Sequence, residues 1–517
     1  MNLLKVFLVF FFLLQPLAKA ELIQLLHTND LHSHLEHAPH LPHVGGYERL
    51  KFKLNQLKRH AKDQGIDTIA MDAGDFLEGN IFYLADKGRK STQAYNKIGY
   101  DVAVLGNHDY LMGLGDLDAL LKNEPPTMAM LAANLNSFSQ FPNIKKHIRP
   151  VWETVLNGVK VGVIGITTNE VFYKWRLAGN GFIEDEVIAA RKWAKYLKNR
   201  GNDIIIALTH IGIARDKKLA FNVPELDLIV GGHDHTVFKE VLYHTSSNGK
   251  KIPIVQAGEM AKWIGRLMID FNKEKKEFKI HNYEVIPVNG EADDPEIKEI
   301  ILKAQEELNL IYGYEWLEEI VGESSLRPME DKNDEVIWNH FINDSMREAV
   351  KADFAIHASA LSGNNYPIGL VTRRHLYNGN PRHFEFSDKF GYRIYTAEIS
   401  GLLIKKAAQI CLRLGLPLYF SGITFKWKKL TNGTYAIWNI QHEGKKIHSL
   451  KRYKVAFSEA VIRGGLGITR LIRSVIHRPQ RSEISMWSAL EEKFIREKTL
   501  GPDYVDYYSQ ERSAFFP

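Results

Sequence analysis

The sequence predicts an α/β domain followed by a second domain of mixed helix and strand. Three observations carry this. The chain has 517 residues, more than a single hydrophobic core organises. From residue 21 onward, short apolar runs alternate with amphipathic stretches, as strands and helices do in turn. That alternation fades near residue 290, at the polar, acidic stretch NGEADDPE. The expected organisation is a leader at 1–20, a first domain at 21–290, a helical linker at 291–321 and a second domain at 322–517.

The leader reads as a signal peptide. Lys5 gives a positive start, VFLVFFFLLQPL (6–17) an apolar core, and AKA (18–20) a small-x-small site, so cleavage is expected after Ala20. The apolar run is shorter than the roughly 20 residues that span a bilayer. A secreted or periplasmic chain with no stable membrane insertion after cleavage is the expectation. Next, LIQLL (22–26), DTIAM (67–71), DVAVL (101–105), DIIIAL (203–208) and LDLIV (226–230) read as buried strands. YERLKFKLNQLKRHAKD and EDEVIAARKWAKYLKNR read as helices between them. VWETVLNGVKVGVIGI (151–166) reads as a hairpin turning at Asn157-Gly158. PEIKEIILKAQEELNLIYGYEWLEEI reads as one long linking helix, and MWSALEEKFIREK as a helix near the end of the second domain.

Composition is that of an ordinary globular protein, 25% charged and 45% hydrophobic. The net charge of +6 is small for this length, and no block of like charges forms a basic tail. No nucleic-acid partner is expected, and no protein partner is indicated. The one cysteine, Cys411, excludes an intrachain disulfide and reads as a buried apolar residue of AAQICLRLG.

The chemistry lies where the strands end. LHTNDLHSH (26–34) carries Asp30 and His32, MDAGD ends on Asp75, LGNHD holds Asn107 and His108, LTH ends on His210, and VGGHDH holds His233 and His235. Strand C-termini are where α/β sheets collect functional groups. The set fits two divalent cations. Asp30, His32 and His235 would hold one; Asn107, His210 and His233 the other; Asp75 would bridge them through its two oxygens. Mixed imidazole, carboxylate and amide ligands suit zinc, manganese or iron, and no thiolate selects among these. Two such cations clamp a phosphoryl group and supply a hydroxide for in-line attack on phosphorus. His34, His37, His40 and His43, which crowd the same loop, read as exposed loop residues, with capture of metal for the site as the alternative.

TNDLHSH, MDAGDFLEGN, VLGNHD, ALTHIG and IVGGHDHT resemble the five blocks of the calcineurin-like metallophosphoesterases, and more closely the secreted 5′-nucleotidase family. NHFINDSMREAVKADFAI and YKVAFSEAVIRGGLGI are similar to that family's C-terminal domain. The resemblance implies a four-layer α/β/β/α metal domain, a helical linker and an α+β C-terminal substrate domain. It also implies a hydrolase of phosphate esters or anhydrides on a small, nucleotide-like substrate, with His108 and Asn107 catalytic. Related dimetal hydrolases of other esters, such as thiosulfohydrolases, and a binding protein without turnover are the alternatives.

The chain departs from that pattern in places. The histidine matching His108 is followed three residues later by an aspartate in the family; here Leu111 stands there. A His108 without a carboxylate would stabilise phosphoryl charge poorly, so good leaving groups would be preferred. In the substrate domain Phe390 matches the first of two base-stacking phenylalanines, Ala460 replaces the second, and Leu466 replaces an aspartate. His357 and Ser362 stand for the usual Asn and Arg. Tyr366 or Phe457 would have to complete a base sandwich. Arg373, Arg374, Arg382 and His383 form a basic neighbourhood that reads either as a site for an anionic substrate or as a solvated basic loop.

Overall fold

The computed structural model describes residues 21–505, apart from 39–40, 137–139, 170–181, 293, 329–330, 359–361, 363–366, 382–388, 392, 415–417 and 464–475. The leader, His40, Tyr366, Arg382, His383 and Leu466 therefore lie outside the described residues.

Two sheets face one another in the first half of the chain. One runs Glu277–Pro287, Trp263–Asn272, Glu21–Thr28, Asp67–Asp72, Val102–Val104, Ala129–Leu131, Ile148–Arg149 in spatial order. The other runs Leu242–Thr245, Lys251–Val255, Leu228–Gly231, Ile204–His210, Val159–Thr167, Val151–Leu156. The inner strands of both are parallel. Such strands are buried on both faces, which is why they read as unbroken apolar runs. In Ile204–His210 the alternation of a strand sorts the faces. Ile204, Ile206 and Leu208 meet Ile23, Leu25, Ile69 and Val104 between the sheets. Ile205 and Ala207 face the other way, onto helices Glu186–Asn199 and Ile213–Asn222. Helices Tyr47–Asp63, Arg89–Ile98 and Leu114–Asn123 cover the outer face of the first sheet. The layers are thus α/β/β/α, as the resemblance implied.

The Asn157-Gly158 turn is as expected. Leu156 pairs with Val159, and Asn157 and Gly158 have φ of 45° and 75°, the left-handed pair that a two-residue hairpin turn needs. The linking helix is shorter than its apolar pattern suggested. It spans Pro295–Tyr312, capped by the Asp294 side chain, and stops at Gly313, φ 107°. It packs on the first half through Ile297, Ile301, Ala304 and Leu308.

Beyond it, a five-stranded sheet runs Leu418–Ser421, Phe354–Ala358, Arg452–Ser458, Arg393–Ser400, Gln480–Ser485. Helices Lys332–Ala349, Gly401–Leu414 and Met486–Glu497 accompany it. Cys411 is buried there, its thiol pushed up to about 12 by burial, which fits an inert apolar role. The two halves touch directly: Ile81 N–H donates to Asn378 Oδ1 at 3.0 Å, and the Arg374 guanidinium lies 5.7 Å from the Phe82 ring centre. No helix among the described residues is long and apolar enough to cross a membrane.

Candidate metal centre

Loops from five neighbouring strand ends meet at one point. Asp30 and His32 follow Glu21–Thr28, Asp75 follows Asp67–Asp72, and Asn107 and His108 follow Val102–Val104. His210 ends its strand, and His233 and His235 follow Leu228–Gly231. Glycines let these loops cross. A Cβ on Gly106 would stand 2.1 Å from Asp75 Oδ1, and one on Gly232 would stand 2.7 Å from the Ala73 carbonyl oxygen. Five of the seven predicted ligands sit at positive φ: Asp30, His32, Asp75, His233 and His235, at 55°, 50°, 60°, 88° and 56°. Side-chain-bearing residues hold that conformation only where the surroundings force it, as functional sites do.

The side chains form two adjacent clusters. Asp30, His32 and His235 are one; Asp75, His210 and His233 are the other, with the ligand atoms of each within 4.8 Å of one another. Asp75 stands between them: its Oδ2 is 2.9 Å from His210 Nε2 and 4.0 Å from His32 Nε2. The outward nitrogens are already committed. His210 Nδ1–H donates to the Ala73 carbonyl at 2.7 Å, His32 Nδ1–H to the Glu78 carbonyl at 2.8 Å, and His235 Nδ1 lies 2.7 Å from Glu259 Oε2. Each Nε2 is thereby left facing inward, the tautomer a metal ligand requires.

Several buried atoms around the site are orphaned. Asp30 Oδ1, His210 Nε2 and both polar atoms of Asn107 are buried with no hydrogen-bond partner. His210 Nε2 has the Asp75 carboxylate beside it, at 2.9 Å. Unpartnered buried carboxylate and amide oxygens are costly in a native fold, and a cation at these positions satisfies them together. The residues present therefore fit two divalent cations.

The electrostatics agree. Burial alone would depress His210, but Asp75 and Asp30 outweigh it and push it up to about 10. Burial likewise opposes charge on His235, yet Asp30 and Glu259 hold it well above the usual histidine range. His32, depressed by burial and by the neighbouring His235, falls to about 3. The Asp75 carboxylate is held well below its usual range; burial opposes this, and His210 and His108 prevail.

Sequence reasoning missed four supporting residues. Asn29 Nδ2–H donates to Asp30 Oδ2 at 2.6 Å and its Oδ1 accepts from Ala257 N–H, tying the first loop to the last. Asp109 accepts from the backbone N–H groups of Gly106, Asp75 and Leu77, so it braces loops and does not serve His108. Glu259 follows the strand Lys251–Val255, so the same strand-end rule would have found it. Glu78 corrects an expectation. His108 does have a carboxylate partner: Glu78 Oε2 lies 2.6 Å from its Nδ1, and both are buried. The physical ground for a preference for good leaving groups is thereby removed. The crowded loop also differs from expectation at His34, which is buried with Nδ1 bonded to the Leu31 carbonyl; His37 and His43 are exposed.

The substrate-domain candidates lie apart from this cluster of loops in the sequence and have structural partners. Arg373 pairs with Glu319 and Glu491 and lies 4.5 Å from the Trp316 ring centre. Arg374 pairs with Glu318 and bonds Gln305 Oε1. Phe390, 40% exposed, packs its ring on Tyr312, Trp316 and Trp487 at 6.3, 6.1 and 5.7 Å between centres. Phe457 is buried in the domain core, so it offers no stacking face. His357 is buried between Ser458 and Ser362, at 2.9 and 3.0 Å, and burial depresses it to about 3.

With this geometry in view, the likenesses to known proteins are consistent. Residues 23–237 match the calcineurin-like phosphoesterases, and residues 321–472 match the 5′-nucleotidase C-terminal domain. The 5′-nucleotidase of Bos taurus is 31% identical over 314 residues, covering 56% of this chain and 54% of that protein. The human 5′-nucleotidase is 30% identical over 318 residues, covering 56% and 54%. The chain thus spans about half the length of these relatives. Among solved structures, a 5′-nucleotidase precursor from Thermus thermophilus superposes with a TM-score of 0.75 at 21% identity, covering 93% of this chain and 97% of that one. A sulfate thiohydrolase from the same organism gives 0.71 at 15% identity, covering 93% and 95%. The chain thus resembles the 5′-nucleotidases in both halves: a stretch matching the calcineurin-like phosphoesterases is followed by one matching the 5′-nucleotidase C-terminal domain.

Proposed function

We propose that this protein is an exported, divalent-metal-dependent hydrolase of small phosphate esters or anhydrides, with nucleotides as the first substrate class. The observation that carries the reading is the pair of carboxylate–imidazole clusters with Asp75 between them. Asp30, His32 and His235 would hold one cation; Asn107, His210 and His233 the other. Bound there, divalent cations supply a nucleophile at neutral pH and neutralise phosphoryl charge. The chain's own part is positioning. Glu78, Glu259 and the Ala73 carbonyl orient the ligand and phosphate-facing imidazoles, and the buried setting strengthens each charge interaction. His108 Nε2, 3.9 Å from Asp75 Oδ2, faces the same point and would donate to a phosphoryl oxygen. Export rests on the leader sequence alone.

The deciding experiment assays the purified chain, loaded with manganese or zinc, on an aryl phosphate, its diester, AMP, ATP and a UDP-sugar, with chelator-stripped protein as control. Metal-dependent release of phosphate or nucleoside is expected. A chain that holds two cations per molecule and cleaves none of these would refute the reading. A second reading, the same centre acting on a non-nucleotide ester, is favoured by one observation: the guanidiniums of Arg373 and Arg374 are engaged with glutamates. Turnover of the aryl ester with none of AMP, ATP or UDP-sugar would select it.

A further inference from the structure

We propose that Glu78 is the positioning residue of His108, supplying from a separate loop the carboxylate that Leu111 does not. The inference rests on the phosphoesterase reading and deepens it. Glu78 is fully buried, and a carboxylate is almost never fully buried without a partner of opposite polarity. Its Oε2 meets His108 Nδ1 at 2.6 Å, and the other ring nitrogen, Nε2, faces Asp75 Oδ2 at 3.9 Å. A carboxylate on one nitrogen of an imidazole fixes the ring plane and aims the opposite nitrogen. Here the aim is the space beside both clusters.

The local backbone is built for this contact. Glu78 itself has φ 50° and Gly79 has φ 121°, so the chain doubles back over His32. A Cβ on Gly79 would lie 2.6 Å from the His32 Cβ, so only glycine lets the turn close there. The result is that one residue serves two imidazoles. The Glu78 carbonyl accepts from His32 Nδ1–H at 2.8 Å, while its carboxylate holds His108; the two rings meet edge to face, 5.0 Å between centres. Three residues on, Ile81 N–H bonds Asn378 of the second domain, which anchors the far end of the same loop. Leu111 is placed for an alternative. His108–Tyr110 is a 3₁₀ turn that Leu111 closes, and residues three apart on such a turn eclipse one another. A carboxylate at 111 would therefore lie on the same side of that turn as His108, at a position now held by a buried leucine.

The test uses the full chain loaded with manganese, with an aryl phosphate as substrate and orthophosphate as binding probe. Glu78→Gln keeps the shape and removes the charge. We expect kcat to fall about 10- to 100-fold, with KM and bound metal changing less than about twofold. Adding Leu111→Asp to Glu78→Gln should recover most of the lost kcat, which a merely structural role for Glu78 would not produce. Wild-type kcat in Glu78→Gln would overturn the proposal, as would a loss that tracks lost metal. Calorimetry with orthophosphate separates this from the parent reading. If the wild type cleaves nothing, yet Glu78→Gln weakens orthophosphate binding about tenfold at equal metal content, the positioning role stands and the phosphoesterase reading falls. Where the wild type has no turnover, equal affinity in both proteins would refute the positioning role.

Discussion

Reloading the stripped metal centre at a series of pH values reads its electrostatics directly. Each cluster contains one imidazole that carboxylates hold protonated at neutral pH. In the first it is His235, flanked by Asp30 Oδ1 at 3.3 Å, Glu259 Oε2 at 2.7 Å and His32 Nε2 at 3.1 Å. In the second it is His210, beside Asp75 Oδ2 at 2.9 Å and Asp30 Oδ1 at 3.8 Å. His210 is pushed up to about 10 and His235 is raised well above 6.5, so both carry a proton through pH 6–7.5. His32, held down at about 3, carries none there. A cation binds only the deprotonated imidazole, so each ion must displace one proton. The affinity of each ion should therefore tighten about tenfold per pH unit across that window, or about 1.4 kcal/mol. Competition against a chromogenic chelator of known pH dependence measures this. Calorimetry in buffers of different ionisation enthalpy should report at least two protons released per chain when both ions load. An affinity flat in pH for either ion would refute the assignment of a carboxylate-held, charged imidazole to that cluster.

Two further predictions concern the frame around the centre. Gly106→Ala would place a Cβ 2.1 Å from Asp75 Oδ1 and 2.4 Å from Asp75 N, so the carboxylate between the clusters must move. Metal affinity should fall about 10- to 100-fold, and full loading at stoichiometric metal would contradict this. His27 lies between the sheets opposite Gly265, both ring nitrogens unpartnered, and burial depresses it from 6.5 to about 3. The unfolded chain binds the proton first, so stability is full above pH 6.5 and is lost progressively as pH falls from there towards 3. At pH 5 the loss is about 2 kcal/mol, and His27→Leu should abolish that share while leaving the similar share of His357. Denaturant unfolding at pH 7 and pH 5 checks it; an unchanged difference between the two pH values would refute it.

The fold and the gathering of the seven candidate ligands were legible in the sequence for one physical reason. A buried parallel strand is written locally as an apolar run, and the residues just past its end must emerge at the same edge of the sheet. Asp30, Asp75, Asn107, His210 and His233 could be placed together without knowing a single contact between them. The Asn157-Gly158 hairpin was legible for a similar reason, since its turn chemistry is carried by two adjacent residues.

Other features were settled by contacts that no local pattern encodes. Leu111 suggested that His108 lacked a carboxylate, yet Glu78 reaches it from a loop 30 positions away, through a turn that depends on Gly79. Arg373 and Arg374 read as an open basic neighbourhood; the structure spends their charge on Glu318, Glu319 and Glu491. Nothing in the local sequence marks His27 as a buried histidine without a hydrogen-bond partner, and only the absent side chain of Gly265 on the neighbouring strand makes room for it. The linking helix stopped early because Gly313 ended it, while the apolar pattern ran on into Trp316 and Leu317, which joined the core from a separate 3₁₀ turn. Sequence by itself determined which strand ends carry chemistry, because strand and turn are local. Tertiary structure decided which side chains complete one another there, because a partner is chosen by proximity in space and not by spacing along the chain.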